Sequence, residues 1–186
     1  MKIKIEQGDI TQFEGDAIVN AANVTLLGGG GVDGCIHRAA GSELLECCKK
    51  IPEVSIHVRC PTGDARVTPG FDLPANFIIH TVGPIFPDSP TARAPVHPGE
   101  GKYFAAPEVM LGLSIVACLD MASAMHLRTM AMPAISCGVF GCTIENFVRT
   151  VKAIIACKQW RLQELTFMLF MDEEFEEFKR CWEEIG

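Results

Sequence analysis

The chain has no Cys-x-x-Cys pair and no closely spaced histidines, although nine of its 186 residues are cysteine. Zinc sites and redox dithiols are built from such pairs, so neither a metal nor a cofactor is expected. The cysteines at 35, 47, 48, 60, 118, 137, 142, 157 and 181 are odd in number and fall mostly in apolar runs, which reads as buried, reduced thiols. Positive charge is also short. Sixteen Lys and Arg face 23 Asp and Glu, a net charge of −7 that argues against a broad electrostatic grip on nucleic acid. Residues 172–186 alone carry −5. No apolar run reaches the roughly 20 residues that span a bilayer; the longest, 109–119, is eleven. The start, Met-Lys-Ile-Lys-Ile-Glu, alternates like an amphipathic strand and lacks the apolar core of a signal peptide. No membrane association is expected, and the expected location is the cytoplasm, with the nucleus second. There is no internal repeat and no linker, so residues 1–186 read as one domain. A hydrophobic fraction of 48% with 21% charged residues is that of a globular protein.

What is present alternates between two periods. Residues 2–6 and 16–20 read as strands separated by a turn at 8–15, and 64–68, 76–82, 129–133 and 165–171 as four more. Helical spacing covers 32–48 (Ile36, Ala39, Ala40, Leu44, Leu45), 108–125, 144–158 and 173–182. Strands interleaved with helices predict an α/β layer fold with much of the sheet parallel. Residues 83–107 hold six of the eleven prolines and read as a long loop. Ligands of such sheets bind at the carboxyl ends of strands.

Three segments follow predicted strands and could carry chemistry. Gly28-Gly29-Gly30-Gly31, with Val32 and Asp33 opening a helix, exposes backbone N–H groups that could cradle a phosphate at the helix N-terminus. On their own the glycines fit a merely flexible loop as well. Ser136-Cys137-Gly138-Val139-Phe140-Gly141 sets an aromatic among small residues; Phe140 either covers a ligand face or packs in the core. Asp9, beside Ile10, either accepts a hydrogen bond from an exocyclic amine or caps a turn.

In order along the chain, Gly8-Asp9-Ile10-Thr11, Val19-Asn20-Ala21-Ala22-Asn23, residues 28–34 with Ile36-His37-Arg38-Ala39-Ala40-Gly41, and Ile135 through Gly141 resemble a macrodomain of the MacroD type. Cys60-Pro61-Thr62-Gly63-Asp64-Ala65 and His80-Thr81-Val82-Gly83-Pro84 support the resemblance, which covers nearly the whole chain and is weakest at 86–125. It implies a three-layer α/β/α macrodomain with a mixed, mostly parallel sheet of about six strands. It implies ADP-ribose and ADP-ribosylated proteins as partners, and a monomer. The implied activity is hydrolysis of mono-ADP-ribose from acidic side chains, or deacetylation of O-acetyl-ADP-ribose.

The resemblance also distributes roles. Asp9 and Ile10 correspond to the adenine-recognising pair, and Asn23 to the residue contacting the distal ribose, with Asn20 structural. Gly28, Gly29, Gly30, Gly31, Val32 and Asp33 correspond to the first phosphate-side loop, Ser136, Cys137, Gly138, Val139 and Phe140 to the loop over the diphosphate and distal ribose, and Ala22 is a further ligand-binding residue. Asp33 takes the position of the acidic residue that hydrolysis requires. As a carboxylate it could activate water and stabilise a cationic sugar, although the ligand's own phosphate is an alternative base. His37 and His80 read as packing residues. The chain departs from the family with Cys137 for Thr, Cys142-Thr143 for Tyr-Pro, and a longer Pro-rich stretch. The aromatic covering adenine is open between Phe170, Met171 and Phe175. A non-catalytic ADP-ribose reader is the first rival reading, distinguished by Asp33; an RNA-associated module is the second.

Overall fold

A computed structural model describes residues 1–87, 89–90 and 105–185. Six strands form one sheet: β1 (Lys2–Gln7), β2 (Ala17–Ala21), β3 (Ala65–Pro69), β4 (Phe77–Thr81), β5 (Thr129–Met132) and β6 (Glu164–Leu169). Their order is β1-β6-β5-β2-β4-β3, parallel throughout except for the antiparallel β3–β4 pair. The expected mixed, mostly parallel sheet is therefore present.

Alternation along the strands sorts side chains onto two cores. In β2, Ala17 and Val19 face one core and Ile18 the other, all fully buried. The first core lies under α3 (Pro107–Ala124), α4 (Ile144–Cys157) and α5 (Asp172–Glu184). Phe167 and Phe178 pack there tilted, 5.1 Å between ring centroids, and Trp182 stacks on Phe178 at 5.9 Å. The second core lies under α1 (Gly31–Ala40) and α2 (Ser42–Lys50). Helices on both faces of the sheet make the three layers.

The single helix expected over 32–48 is two. Gly41 has φ +82°, a left-handed conformation that ends α1 and starts α2. The turn expected at 8–15 contains a short 3₁₀ turn, Ile10–Gln12. By length and composition α3 is apolar enough to cross a membrane, with a mean hydropathy of 1.4. In this fold it packs on the sheet through Leu111, Ile115, Cys118 and Leu119. Most of the Pro-rich stretch, residues 88 and 91–104, lies outside the described residues.

Candidate active site

The five parallel strands bring their carboxyl ends to one edge of the sheet, where the glycine-rich loops after β2 and β5 meet. Two cavities of about 360 and 500 Å³ lie along this edge. They share Gly31, Val32, Ala134 and Gly138, so they form one continuous cleft. Such a volume suits a small organic ligand.

The inner cavity runs between the two loops. On one side lies the first turn of α1, whose N-cap, Gly30, supplies no side-chain cap. Its first amide groups and the positive end of the helix are thus open to an anion. On the other side lie Ser136, Gly138, Val139 and Phe140. This second loop is tied down at several points. Phe86 N–H donates to the Phe140 carbonyl at 2.8 Å, Cys142 N–H to that of Ser136 at 2.9 Å, and the Ser89 hydroxyl to that of Val139. Ser136 itself has φ +67°, an uncommon conformation for a residue with a side chain, and its buried hydroxyl has no hydrogen-bond partner among the described residues.

Asp33, in the first turn of α1, is 3% exposed. Its Oδ1 accepts a hydrogen bond from the Asn20 side-chain amide at 2.7 Å. His37, one turn along, brings Nε2 to 3.5 Å from the same oxygen, an electrostatic contact without hydrogen-bond geometry. Burial pushes the Asp33 carboxyl above the usual carboxylate range; the Asn20 hydrogen bond and His37 oppose this less strongly. Oδ2 is buried beside Gly29 with no hydrogen-bond partner among the described residues, and Asp33 as a residue lines the inner cavity. The arrangement holds one unpaired carboxylate oxygen, in a largely dry setting, next to an uncapped helix N-terminus. A carboxylate so placed can accept a proton from a neighbouring water molecule.

Asn23 also lines the inner cavity, but most of its amide serves the loop. Nδ2 donates to the Gly28 carbonyl at 3.0 Å, while Oδ1 accepts from the Thr25 N–H at 3.0 Å and the Thr25 hydroxyl at 2.6 Å. One amide N–H remains for a ligand. The outer cavity holds Asp9 and Ile10, with Phe170 and Met171 after β6 and Glu174 from α5. The turn-capping reading of Asp9 is the one the structure shows, since Oδ1 accepts from the N–H and hydroxyl of Thr11; the residue is also exposed at the cavity wall.

Most of the expected residues therefore converge on the cleft, namely Ala22, Gly29, Gly30 and Gly31 with Val32, Asp33 and Asn23, then Ser136 and Gly138 through Phe140. Gly28 and Cys137 do not line it. Gly28 lies on the outer side of its loop, against the His37 ring, and gives its carbonyl to Asn23. Cys137 turns under the second loop, where its Sγ meets the Ile135 and Thr143 carbonyls, each at 3.7 Å. Sequence reasoning did not reach Gly83, Ala134, Cys35, Arg38 or Glu174, all on the cleft wall. Nothing in their spacing marks them, since each contributes to the wall only once the sheet has assembled.

A family model for the Macro domain matches residues 19–151. The chain belongs to the macro domain family. A macro domain-containing protein of Xanthomonas campestris is 48% identical over 161 residues, covering 87% of this chain and 81% of that protein. The ADP-ribose glycohydrolase MACROD1 of Mus musculus is 40% identical over 93% of this chain, which spans about half of that enzyme (49%). Among solved structures, the Oceanobacillus iheyensis macrodomain with ADP superposes with a TM-score of 0.79 at 34% identity, covering 96% of this chain and 88% of that one. The cleft described above is thus the cleft of a macro domain.

Proposed function

We propose that this macro domain is a hydrolase that removes mono-ADP-ribose from acidic side chains of proteins, or the acetyl group from O-acetyl-ADP-ribose. The observation that carries the reading is Asp33: a buried carboxylate at the cavity wall, with one oxygen held by Asn20 and the other without a hydrogen-bond partner among the described residues. A module that only holds ADP-ribose needs the two amide-rich loops and no carboxylate there. The family resemblance to glycohydrolases such as mouse MACROD1 supports the same reading.

In this reading the diphosphate lies between the first turn of α1 and the loop of Ser136 to Phe140, neutralised by N–H dipoles in a protein of net charge −7. Phe140 covers the distal ribose, and Asn23 positions it. Asp33 stabilises the positive charge developing on the sugar as the bond from its anomeric carbon to the protein's carboxylate breaks and that carboxylate leaves, and it accepts a proton from the water that attacks this carbon. Adenine occupies the outer cavity beside Asp9 and Phe170. The test is incubation with an auto-ADP-ribosylated protein, following label release by the wild type and by Asp33→Ala. Release by the wild type and its loss in the variant, with ADP-ribose binding retained, supports the hydrolase. Binding without release supports the reader.

A further inference from the structure

The buried face of the sheet behind Asp33 carries a polar chain that packing alone does not call for. Asn20 and His80 are direct partners in the parallel β2–β4 register, and both are fully buried. The Asn20 Nδ2 lies 2.7 Å from Asp33 Oδ1 and 3.1 Å from His80 Nδ1. On the far side, His80 Nε2 lies 2.9 Å from the hydroxyl of Thr68 on β3, itself 2% exposed. The chain runs from β3 through β4 and β2 to α1, and it ends on Asp33 Oδ1, leaving Oδ2 without a hydrogen-bond partner among the described residues.

We propose that His80 is a positioning residue for Asp33, acting as the neutral tautomer with its proton on Nε2 to fix the Asn20 amide with both N–H bonds donated, one to His80 and one to Asp33. The amide orientation selects this arrangement: Nδ2 faces both Asp33 and His80, while Oδ1 is buried with no hydrogen-bond partner among the described residues. An amide nitrogen only donates, so the Nδ1 facing it accepts and carries no proton. The ring proton then sits on Nε2 and points at Thr68. A proton on Nδ1 sets two donors against each other. It turns the amide over and points Asn20 Oδ1 at the Asp33 carboxylate. Full burial, aided by the nearby His37, brings the His80 imidazolium down to about 3, so the ring is neutral at working pH.

The inference rests on the hydrolase reading, and its tests separate the two. Asp33 is faced by His37 on its own helix and by the Cys48 thiol of α2, beside which lies Arg59. These groups are unchanged in the variants below. In histidine-labelled wild type, nitrogen NMR should show His80 as the Nε2–H tautomer without titration between pH 5 and 8. An Nδ1–H or imidazolium signal overturns the proposal, whatever the turnover. His80→Leu removes the acceptor. It should lower kcat about tenfold, move the acid limb of the pH–rate profile upward by about one unit, and leave ADP-ribose affinity within twofold. His80→Asn restores an acceptor where Nδ1 stood and should recover most of kcat and the wild-type acid limb. Equal kcat and equal pH profiles in the two variants overturn the proposal. So does a loss that appears in affinity alone. Should His80→Leu not fold, the labelled wild type and the pH profile of His80→Asn decide. Absence of turnover in the wild type defeats the hydrolase reading instead and leaves the tautomer result standing.

Discussion

Gly83 packs so tightly against Ser136 that a Cβ added to it would overlap the serine hydroxyl and crowd Ile135. Gly83 follows β4 and Ser136 belongs to the loop after β5, so this contact sets how closely the second loop approaches the sheet. Ser136 already holds φ +67° and has little room to retreat.

Gly83→Ala should therefore displace the loop carrying Gly138 to Phe140. The cost in stability is about 1–3 kcal/mol, as for overpacking at other tight sites. The larger effect falls on the ligand, because the loop's N–H groups must stay aimed into the cavity. Calorimetry should show ADP-ribose binding weakened at least about tenfold. Unchanged affinity would mean that the loop tolerates a shift of that size.

Asp33 couples function against stability. Its carboxyl is raised by burial, so the charged form is costly in the fold and the folded state loses stability as pH rises through that value. Asp33→Asn keeps an acceptor for Asn20 and removes the charge. It should raise the thermal midpoint at pH 7.5, bind ADP-ribose, and lose about a hundredfold or more in turnover. A variant that is both less stable and still active would reduce Asp33 to a helix-end carboxylate.

Much of this site was legible in the sequence because its backbone parts are local. Four glycines before a helix, and an aromatic flanked by glycines after a strand, mark loops wherever they occur. The relay behind Asp33 was not legible. It joins residues 13, 60 and 12 positions apart through the β2–β4 and β3–β4 registers, and spacing along the chain carries no trace of that. His80 read as a packing residue; it is buried, yet both ring nitrogens have polar neighbours. The break at Gly41 escaped for the opposite reason. Apolar periodicity continues across it from Ala40 to Leu44, and only the positive φ separates the helices.

Acid should expose the buried His80. Its imidazolium is depressed from the ordinary 6.5 to about 3 in the fold, so between those values the unfolded chain binds a proton that the native state does not. Stability contributed by the neutral ring is complete above about pH 6.5 and is lost on acidification, by about 2 kcal/mol at pH 5. Asp33, raised in the fold, opposes this trend. Urea midpoints at pH 7.5 and 5.0 should therefore fall less in His80→Asn than in the wild type. Identical falls would show that His80 accepts a proton without unfolding the protein.

Thiol labelling maps the outer cavity. Cys35 is exposed on its wall, next to Arg38, whereas Cys157 is exposed at the end of α4. Cys48, Cys60 and Cys118 are buried with thiols pushed up to about 12 and should resist alkylation in the native state. Iodoacetamide followed by peptide mass spectrometry should modify Cys35 and Cys157 first. Saturating ADP-ribose should protect Cys35 and leave Cys157 unchanged. Equal modification of Cys35 with and without ligand would place adenine elsewhere.

In the proposed binding mode, Phe170 is the aromatic placed to cover adenine. Of the three candidates after β6, Phe175 packs against the core under α5 and holds the Lys179 ammonium 4.4 Å from its ring. Met171 offers no ring, although it shares the cavity wall. Phe170 is 69% exposed, unusual for so large an apolar side chain, and lines the outer cavity. Stacking an aromatic on a base contributes about 1–3 kcal/mol, so Phe170→Ala should weaken ADP-ribose and AMP about tenfold or more. Because the ring lies outside the reacting end, kcat at saturation should hold within about twofold. Phe140→Ala should behave differently, with kcat reduced and AMP affinity nearly unchanged, since it removes the cover of the distal ribose. Two variants with the same pattern in both measurements would show that the cleft does not hold its ligand with adenine outward and the distal ribose beneath Phe140.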